Sequence, residues 1–154
     1  MHCQLDLTIA EFIGLAARPL DDADLAWGEG NCQQGLVWHE SLVMMDPLAD
    51  EEFGADVTVR LAEKFLPNRT AQRCLQLPFR VPEGAALLLF SAEDEEAVPL
   101  DVAAGDYTLF YEVCLSREVF YVLTLVREAI PHASARKSDG WGMEKDKPLV
   151  PGVF

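Results

Sequence analysis

The stretch Gly105-Asp106-Tyr107-Thr108-Leu109-Phe110-Tyr111-Glu112-Val113 decides the class of fold. From Tyr107 to Val113, every second residue is a large apolar one, and this period of two is typical of a β-strand with one face in a core. Residues 117–127 follow directly and are rich in Val, Phe, Tyr, Leu and Thr, which favour strands. We therefore predict two neighbouring strands in this part of the chain.

Similar patterns recur along most of the chain. Further strands are predicted over residues 3–9, 35–45 (one bulged strand or two short ones), 57–61, 75–79, 85–90 and 98–102. Pro78 indicates an edge position or a strand end, and a short helical turn is predicted between Asp22 and Trp27. With about eight strands and no long helix, the sequence predicts an all-β fold, an antiparallel β-sandwich.

The composition changes near residue 127. Residues 1–127 are predicted to form the sandwich domain, and residues 128–154 an irregular C-terminal extension that packs on the domain or trails from it. The extension carries Pro131, Pro148 and Pro151 and little hydrophobic periodicity. Trp141 and Phe154 are its candidate anchors.

The chain is strongly acidic. It contains 26 Asp and Glu residues against 12 Lys and Arg residues, which gives a formal net charge of −14. Such a chain repels nucleic acid and anionic membranes, and it attracts basic partners. Its apolar runs are too short to cross a bilayer, and its first residues lack the features of a signal peptide. We therefore expect a cytoplasmic protein that binds neither nucleic acid nor membranes.

The sequence contains no assembled catalytic or metal-binding motif. The cysteines lack CxxC spacing and are interpreted as separate thiols: Cys3, Cys32, Cys74 and Cys114. The histidines lie far apart and outside metal-ligand spacing: His2, His39 and His132. We therefore predict no catalytic residue, no metal and no cofactor, and we interpret the chain as a binding protein and not an enzyme.

Acidic residues gather in three predicted loops, and the first of these loops ends at Trp27. Carboxylates so close together repel one another, so they must stay solvated or be met by cations. An aromatic residue beside them is typical of protein interfaces. The candidate partner-binding residues are Asp21, Asp22, Asp24, Trp27, Asp50, Glu51, Glu52, Glu93, Asp94, Glu95 and Glu96.

The order of motifs resembles the competence protein J family. An early strand and a long loop ending in Trp27 are followed by Arg73-Cys74-Leu75-Gln76-Leu77-Pro78-Phe79-Arg80-Val81, with a Pro-Phe-x-Val element, and later by Gly105-Asp106-Tyr107-Thr108-Leu109. The resemblance spans roughly residues 5–126. Because the namesake of the family inhibits a DNA-entry nuclease, the resemblance implies an inhibitor or immunity-type role without catalytic residues.

We therefore expect an acidic protein that binds and inhibits a basic partner, a nuclease, whose DNA-binding surface would be positively charged. Two other functions stay open. One is a sandwich that binds a small ligand, or calcium through carboxylates from two loops. The other is an enzyme that uses two acids as general acid and base. The sequence does not indicate an oligomeric state.

Overall fold

The computed structural model describes residues 1–48, 53–127 and 132–154, and at Phe53 and Gly54 it describes the backbone only. The strands in these residues are β1 (His2–Ile9), β2 (Ile13–Ala16), β3 (Leu36–His39), β4 (Leu42–Met45), β5 (Phe53–Ala62), β6 (Ala71–Val81), β7 (Leu88–Phe90), β8 (Glu95–Ala97), β9 (Gly105–Leu115), β10 (Val119–Val126) and β11 (Ser134–Ala135). A 3₁₀ helix spans Asp22–Leu25, and helix α1 spans Glu29–Gln34. Within the described ranges, no helix is long and apolar enough to span a bilayer.

Two sheets contribute to one hydrophobic core. The larger sheet has the strand order β1-β5-β10-β9-β6-β11, and the smaller one has the order β3-β4-β2-β7-β8. The main core cluster contains Leu15 and Met45 from the smaller sheet together with Tyr111 and Leu123 from the larger one. The predicted all-β fold is confirmed, because strands supply nearly all of the regular structure and the one α-helix is short.

The strand count differs from the prediction. The described residues form eleven strands instead of about eight. One ladder, between β5 and β10, is parallel, and the other ladders between the described strands are antiparallel. Residues 98–102 form no strand, because Pro99 lacks an N–H group and the Leu100 N–H donates back to the Val98 carbonyl (2.8 Å). The neighbouring strand is β8, a segment predicted as a charged loop.

Several local predictions are confirmed. Residues 35–45 form the two short strands β3 and β4, and the predicted helical turn is the 3₁₀ helix. Pro78 lies where β6 has a neighbour on one side only, because β11 pairs only with Leu75 and Gln76. Helix α1 is not predicted, since Gly30 weakens helix propensity inside it.

The outer face of the smaller sheet is covered by the segment between β2 and β3. Residues of this face form a second hydrophobic cluster: Phe12, Ala16, Val37, Leu42, Met44 and Phe90. Leu20 and Trp27 pack against the cluster from above. Because both belong to the first predicted acidic loop, that loop is held down on the sheet by its apolar side chains.

Two buried amide side chains fasten the last residues of the chain to α1. The Gln34 side chain donates to the Val150 carbonyl (2.9 Å) and accepts the Val150 N–H (2.7 Å). The Asn31 side chain donates to the Gly152 carbonyl (2.8 Å) and accepts the Phe154 N–H (3.0 Å). These bonds come from residues distant in sequence, which explains why local propensity does not predict the helix.

A buried ion pair ties residues 132–154 to the larger sheet. The Arg73 Nε donates to the Asp139 carboxylate at 2.7 Å, and the two side chains are 4% and 0% exposed. Burial alone would raise the pKa of Asp139. The Arg73 guanidinium and the N–H groups of Trp141 and Met143 outweigh burial and lower that pKa. The pair therefore stays charged inside the protein.

We expect the substitution Asp139→Ala to lower the free energy of unfolding by about 3–5 kcal/mol, because it leaves the buried Arg73 without a counter-ion. Urea denaturation measures this loss. The control is Glu40→Ala, which removes the partner of Arg80 in an exposed pair of 3.0 Å. The control should change stability by less than about 1 kcal/mol. Equal losses in the two variants would contradict this account.

Candidate functional site

A cleft of about 370 Å³ opens at one end of the smaller sheet. It lies between the turn that joins β1 to β2, the end of β4, and the segment from the 3₁₀ helix to α1. We call it the Trp27 cleft, and its lining residues are Glu11, Phe12, Leu25, Trp27, Cys32 and Asp46. Apolar walls thus meet two carboxylates in one concave surface.

Trp27 has two roles in this cleft. Its ring packs on the second hydrophobic cluster and fixes the loop, and it also forms part of the open wall. Behind it, the rings of Phe12 and Phe90 meet edge to face, with centroids 5.6 Å apart. A rigid aromatic wall between carboxylates suits a Lys or Arg side chain, since such rings attract cations.

Glu11 occupies a strained turn at the rim of the cleft. The Phe12 N–H donates to the Ala10 carbonyl at 2.8 Å, and Glu11 between them has a φ of 69°. This is a γ-turn with positive φ, which is rare and strained for a residue with a side chain. Strained backbone of this kind clusters at functional sites. Glu11 is not among the sequence candidates, because no pattern in the sequence distinguishes it from other exposed acids.

Asp46 is held in place from the larger sheet. The Tyr111 hydroxyl donates to the Asp46 carbonyl at 2.8 Å, and the Tyr121 hydroxyl donates to the Pro47 carbonyl at 2.7 Å. Burial raises the pKa of both phenols above the ordinary value, so they remain protonated donors. The Asp46 carboxylate accepts the Leu48 N–H at 2.8 Å, which further orients it at the rim.

The first acidic loop uses part of its charge internally. The Arg18 guanidinium donates to both carboxylate oxygens of Asp24, at 2.8 and 3.0 Å, and this bond lowers the pKa of Asp24 to about 2. Asp21 accepts the Ala23 N–H at 3.2 Å and caps the 3₁₀ helix. Asp22 is exposed, and in the described parts of the chain it forms no ion pair. Asp24 is therefore a structural residue.

The hairpin that carries the third acidic cluster lies beside Glu11. The Ala92 N–H donates to the Ala10 carbonyl at 3.2 Å, and the Asp94 carboxylate accepts the Thr8 N–H at 3.0 Å. Ion pairs to Glu93, Glu95 or Glu96, all exposed, are absent from residues 1–48, 53–127 and 132–154. The structure thus brings the third cluster beside the turn that carries Glu11 at the rim of the Trp27 cleft.

The second predicted cluster is only partly described. Asp50, Glu51 and Glu52 lie outside the described residues, whereas Asp46 lines the Trp27 cleft. As far as the described residues show, no three His, Cys, Asp or Glu side chains come together as metal ligands.

A larger apolar cavity of about 660 Å³ lies at the opposite end of β4. Its lining includes Trp38, His39 and Tyr107, with the exposed Arg80–Glu40 pair at the rim. The Trp38 Nε1 and the His39 Nε2 are buried without a hydrogen-bond partner in the described residues. Glu40, Arg80 and Asp106 give the lining of this cavity a formal charge of −1, and Arg80 pairs with Glu40. The Trp27 cleft instead carries two carboxylates that form no ion pair among the described residues.

Comparison with known proteins connects this architecture to one family. The sequence profile of the Competence protein J (ComJ) family matches residues 8–126. The chain is similar in structure to ComJ of Bacillus subtilis, an inhibitor of the DNA degrading activity of NucA, with 16% identity, 82% of this chain and 96% of that chain covered, and a TM-score of 0.68. The chain is also similar in structure to the protein of crocagin biosynthetic gene J, with 12% identity and a TM-score of 0.56. This match covers 84% of this chain and 98% of that chain. No curated protein sequence matches the chain.

The substitution Glu11→Gly should raise the free energy of unfolding by about 0.5–1 kcal/mol. Glycine adopts positive φ without strain, and the strain that is relieved exceeds the additional conformational entropy that glycine loses on folding. Thermal and urea denaturation measure the gain. Asp146→Gly is the matched control, since Asp146 also has a φ of 69°. Its gain should be smaller, because Asp tolerates positive φ better than Glu. A less stable Glu11→Gly protein would contradict the assignment of strain.

The stabilising effect of Asp24 should depend on pH. Its pKa is about 2 in the folded protein against an ordinary value of 3.8, so its contribution is complete above pH 4 and is lost as the pH falls towards 2. We expect Asp24→Asn to cost about 1 kcal/mol at neutral pH, because Arg18 is partly exposed and screened. Urea denaturation between pH 7 and pH 2 should show that the free energies of unfolding of wild type and of Asp24→Asn approach each other as the pH falls. Asp22→Asn is the control and should stay close to wild type throughout.

Proposed function

This chain belongs to the Competence protein J (ComJ) family, and from that premise we propose that it binds a nuclease and inhibits DNA degradation by it. The observation that carries the proposal is the family match over residues 8–126, which contain every described residue of the Trp27 cleft. The likeness in fold to ComJ of Bacillus subtilis, the inhibitor of NucA, supports the same function.

We further propose that the surface of the nuclease that is bound is basic. Glu11 and Asp46 at the cleft have no ion pair in the residues that the structure describes, and neither have the neighbouring Glu93 and Glu95. A nuclease needs a positive surface to hold DNA. These carboxylates would take the place of phosphates on that surface, and DNA would be excluded.

The proposed binding energy has two sources with different roles. The net charge of −14 speeds the encounter with a basic partner, and this effect weakens as salt screens it. Lasting affinity would come from burial of the cleft walls formed by Leu25, Phe12 and Trp27. A Lys or Arg side chain inserted beside Trp27 would gain a cation–π contact and the charges of Glu11 and Asp46.

The proposed contact surface therefore refines the sequence prediction. Its centre is the Trp27 cleft, flanked by Glu93, Glu95 and Glu96, with Asp22 on the adjoining 3₁₀ helix. Asp24 acts indirectly, because its charge is paired with Arg18. Asp94 keeps its charge while it accepts the Thr8 N–H, so it can both hold the hairpin and face the partner. Asp50, Glu51 and Glu52 remain predicted contacts.

We also propose that the two sheets form a β-sandwich, with residues 132–154 as an extension fastened to it. The support is the core cluster that both sheets share and the pairing of β11 with β6. In such an arrangement, the Trp27 cleft lies at one end of the layers, where the connecting loops meet.

The proposal is tested by adding the purified chain to the DNA-degrading nuclease of the same cells and measuring cleavage of a fluorescent DNA. We expect wild type to inhibit cleavage, and Trp27→Ala and Glu11→Lys to inhibit about tenfold or more weakly. Glu83→Lys is the matched control, because it changes the net charge equally at an exposed turn after β6 that does not line the cleft. It should inhibit like wild type.

Cys32 offers a direct measure of where the nuclease binds. Its side chain is exposed and lines the Trp27 cleft. Iodoacetamide should alkylate Cys32 in the free protein and react more slowly in the complex, whereas added serum albumin should give no protection. Inhibition with Cys32 unprotected would move the binding site elsewhere, and a lack of inhibition by wild type would refute the proposed function.

A further inference from the structure

Of the four outer strands of the two sheets, three are short or covered. The larger sheet ends on one side at β11, which has only two residues, and the smaller sheet ends at the three-residue, glutamate-bearing β8. At β3, the Trp38 carbonyl accepts the Gly152 N–H at 2.9 Å. Proteins use such devices to prevent other strands from joining a sheet. The remaining outer strand, β1, has eight residues.

The hydrogen bonds of β1 show which of its backbone groups face away from the sheet. Met1 and Leu61 exchange both of their backbone hydrogen bonds, at 3.2 and 2.8 Å. In an antiparallel ladder, such pairs recur at every second residue, so Cys3 and Leu5 also bond to β5. The N–H and C=O groups of His2, Gln4, Asp6 and Thr8 therefore point to the free edge.

Only one end of this edge is closed. The Thr8 N–H donates to the Asp94 carboxylate at 3.0 Å, and the Thr8 carbonyl accepts the Ser91 hydroxyl at 2.6 Å. For His2, Gln4 and Asp6, no residue that the structure describes supplies a partner to these outward groups, and all three are exposed. Three successive outward-facing residues of β1, which are every second residue of the strand, thus present free backbone donors and acceptors.

We propose that a second copy of this chain pairs with β1, antiparallel and about a two-fold axis at Gln4. In this register, His2 of each copy faces Asp6 of the other, and the two Gln4 residues face each other. Each of these pairs would exchange two backbone hydrogen bonds. The larger sheets of the two copies would join into one continuous sheet.

Polar and apolar contacts both favour this occupant. The edge is self-complementary, because the imidazole of His2, an N–H donor, and the carboxylate of Asp6, an acceptor, lie at equal distances in sequence from Gln4. A donor opposite an acceptor across a strand pair is stabilising. On the core-facing side, the half-buried Cys3 of each copy would cover the half-buried Leu5 of the other. These two contacts occur twice in the dimer because of its symmetry.

The association is expected to be reversible. Pairing along a few residues buries less than the roughly 1,000 Å² of a stable interface, and two chains with a charge of −14 repel each other. Sedimentation equilibrium on the full chain should show the mass rising from 17.1 kDa towards twice that value as concentration increases. A mass that stays monomeric into the millimolar range would overturn the proposal.

Substitutions of the paired side chains test the register. Asp6→Lys should weaken association about tenfold, because it replaces the acceptor opposite the His2 imidazole with a donor at both ends of the pairing. The double variant His2→Asp with Asp6→His exchanges donor and acceptor and should restore association. The control Asp101→Lys changes an exposed acid in the loop between β8 and β9, outside the proposed pairing, and should associate like wild type. Failure of the double variant to recover would overturn this register.

A covalent test does not depend on affinity. Leu5→Cys places a thiol opposite Cys3 of the second copy, at a separation that suits a disulfide between antiparallel strands. Mild oxidation should give a dimer in which Cys3 of each copy is linked to the introduced thiol of the other, whereas His2→Cys should give far less. The inference is independent of the proposed function. If Asp6→Lys instead abolished nuclease inhibition while wild type alone stayed monomeric, the nuclease would be the occupant and the dimer would be refuted.

Discussion

The hydrogen bonds from Tyr111 and Tyr121 to the carbonyl groups of Asp46 and Pro47 connect the larger sheet to the end of the smaller one. The two phenol rings lie nearly parallel inside the core, at a centroid distance of 6.3 Å, and burial keeps them protonated. These two bonds fix the path of the backbone directly after β4. Asp46, and with it the wall of the Trp27 cleft, has its position set by the core and not by the loop.

The acidic residues divide into two groups with different physical roles. Asp24, Asp94 and Asp139 accept hydrogen bonds from guanidinium or backbone groups, and they organise loops and the C-terminal residues. Glu11 and Glu93 hold no such partner within the described chain, and their charge is directed to solvent. Net charge alone does not separate these groups. The distinction matters because a carboxylate that faces a guanidinium, as in Asp24 and Asp139, attracts a cationic surface less strongly than one without a counter-ion.

Much of the fold follows from the alternation of apolar and polar residues, as in Tyr107 to Val113. The sequence also predicts Trp27 and the hairpin of Glu93 as parts of the site. The order of motifs that surround Pro78 and Tyr107 predicts the family. Glu11 is not predictable in this way, because its turn is fixed by the bonds that the neighbouring Ala10 carbonyl accepts from the N–H groups of Phe12 and Ala92. Helix α1 escapes prediction for a similar reason, since its stability comes from the C-terminal residues. Local patterns do not contain such long-range contacts.

The side chains of Asn31 and Gln34 form hydrogen bonds with main-chain N–H and C=O groups of residues 150–154. A neighbouring β-strand would use the same groups. Val150, Val153 and Phe154 keep 46%, 47% and 46% of their surface in solvent. The Phe154 ring also packs against Gly30 and leaves no room for a Cβ there, and Gly152 has a φ of 76°. Val150 and Val153 are therefore better places than Phe154 or Gly152 for attaching a label without loosening the protein.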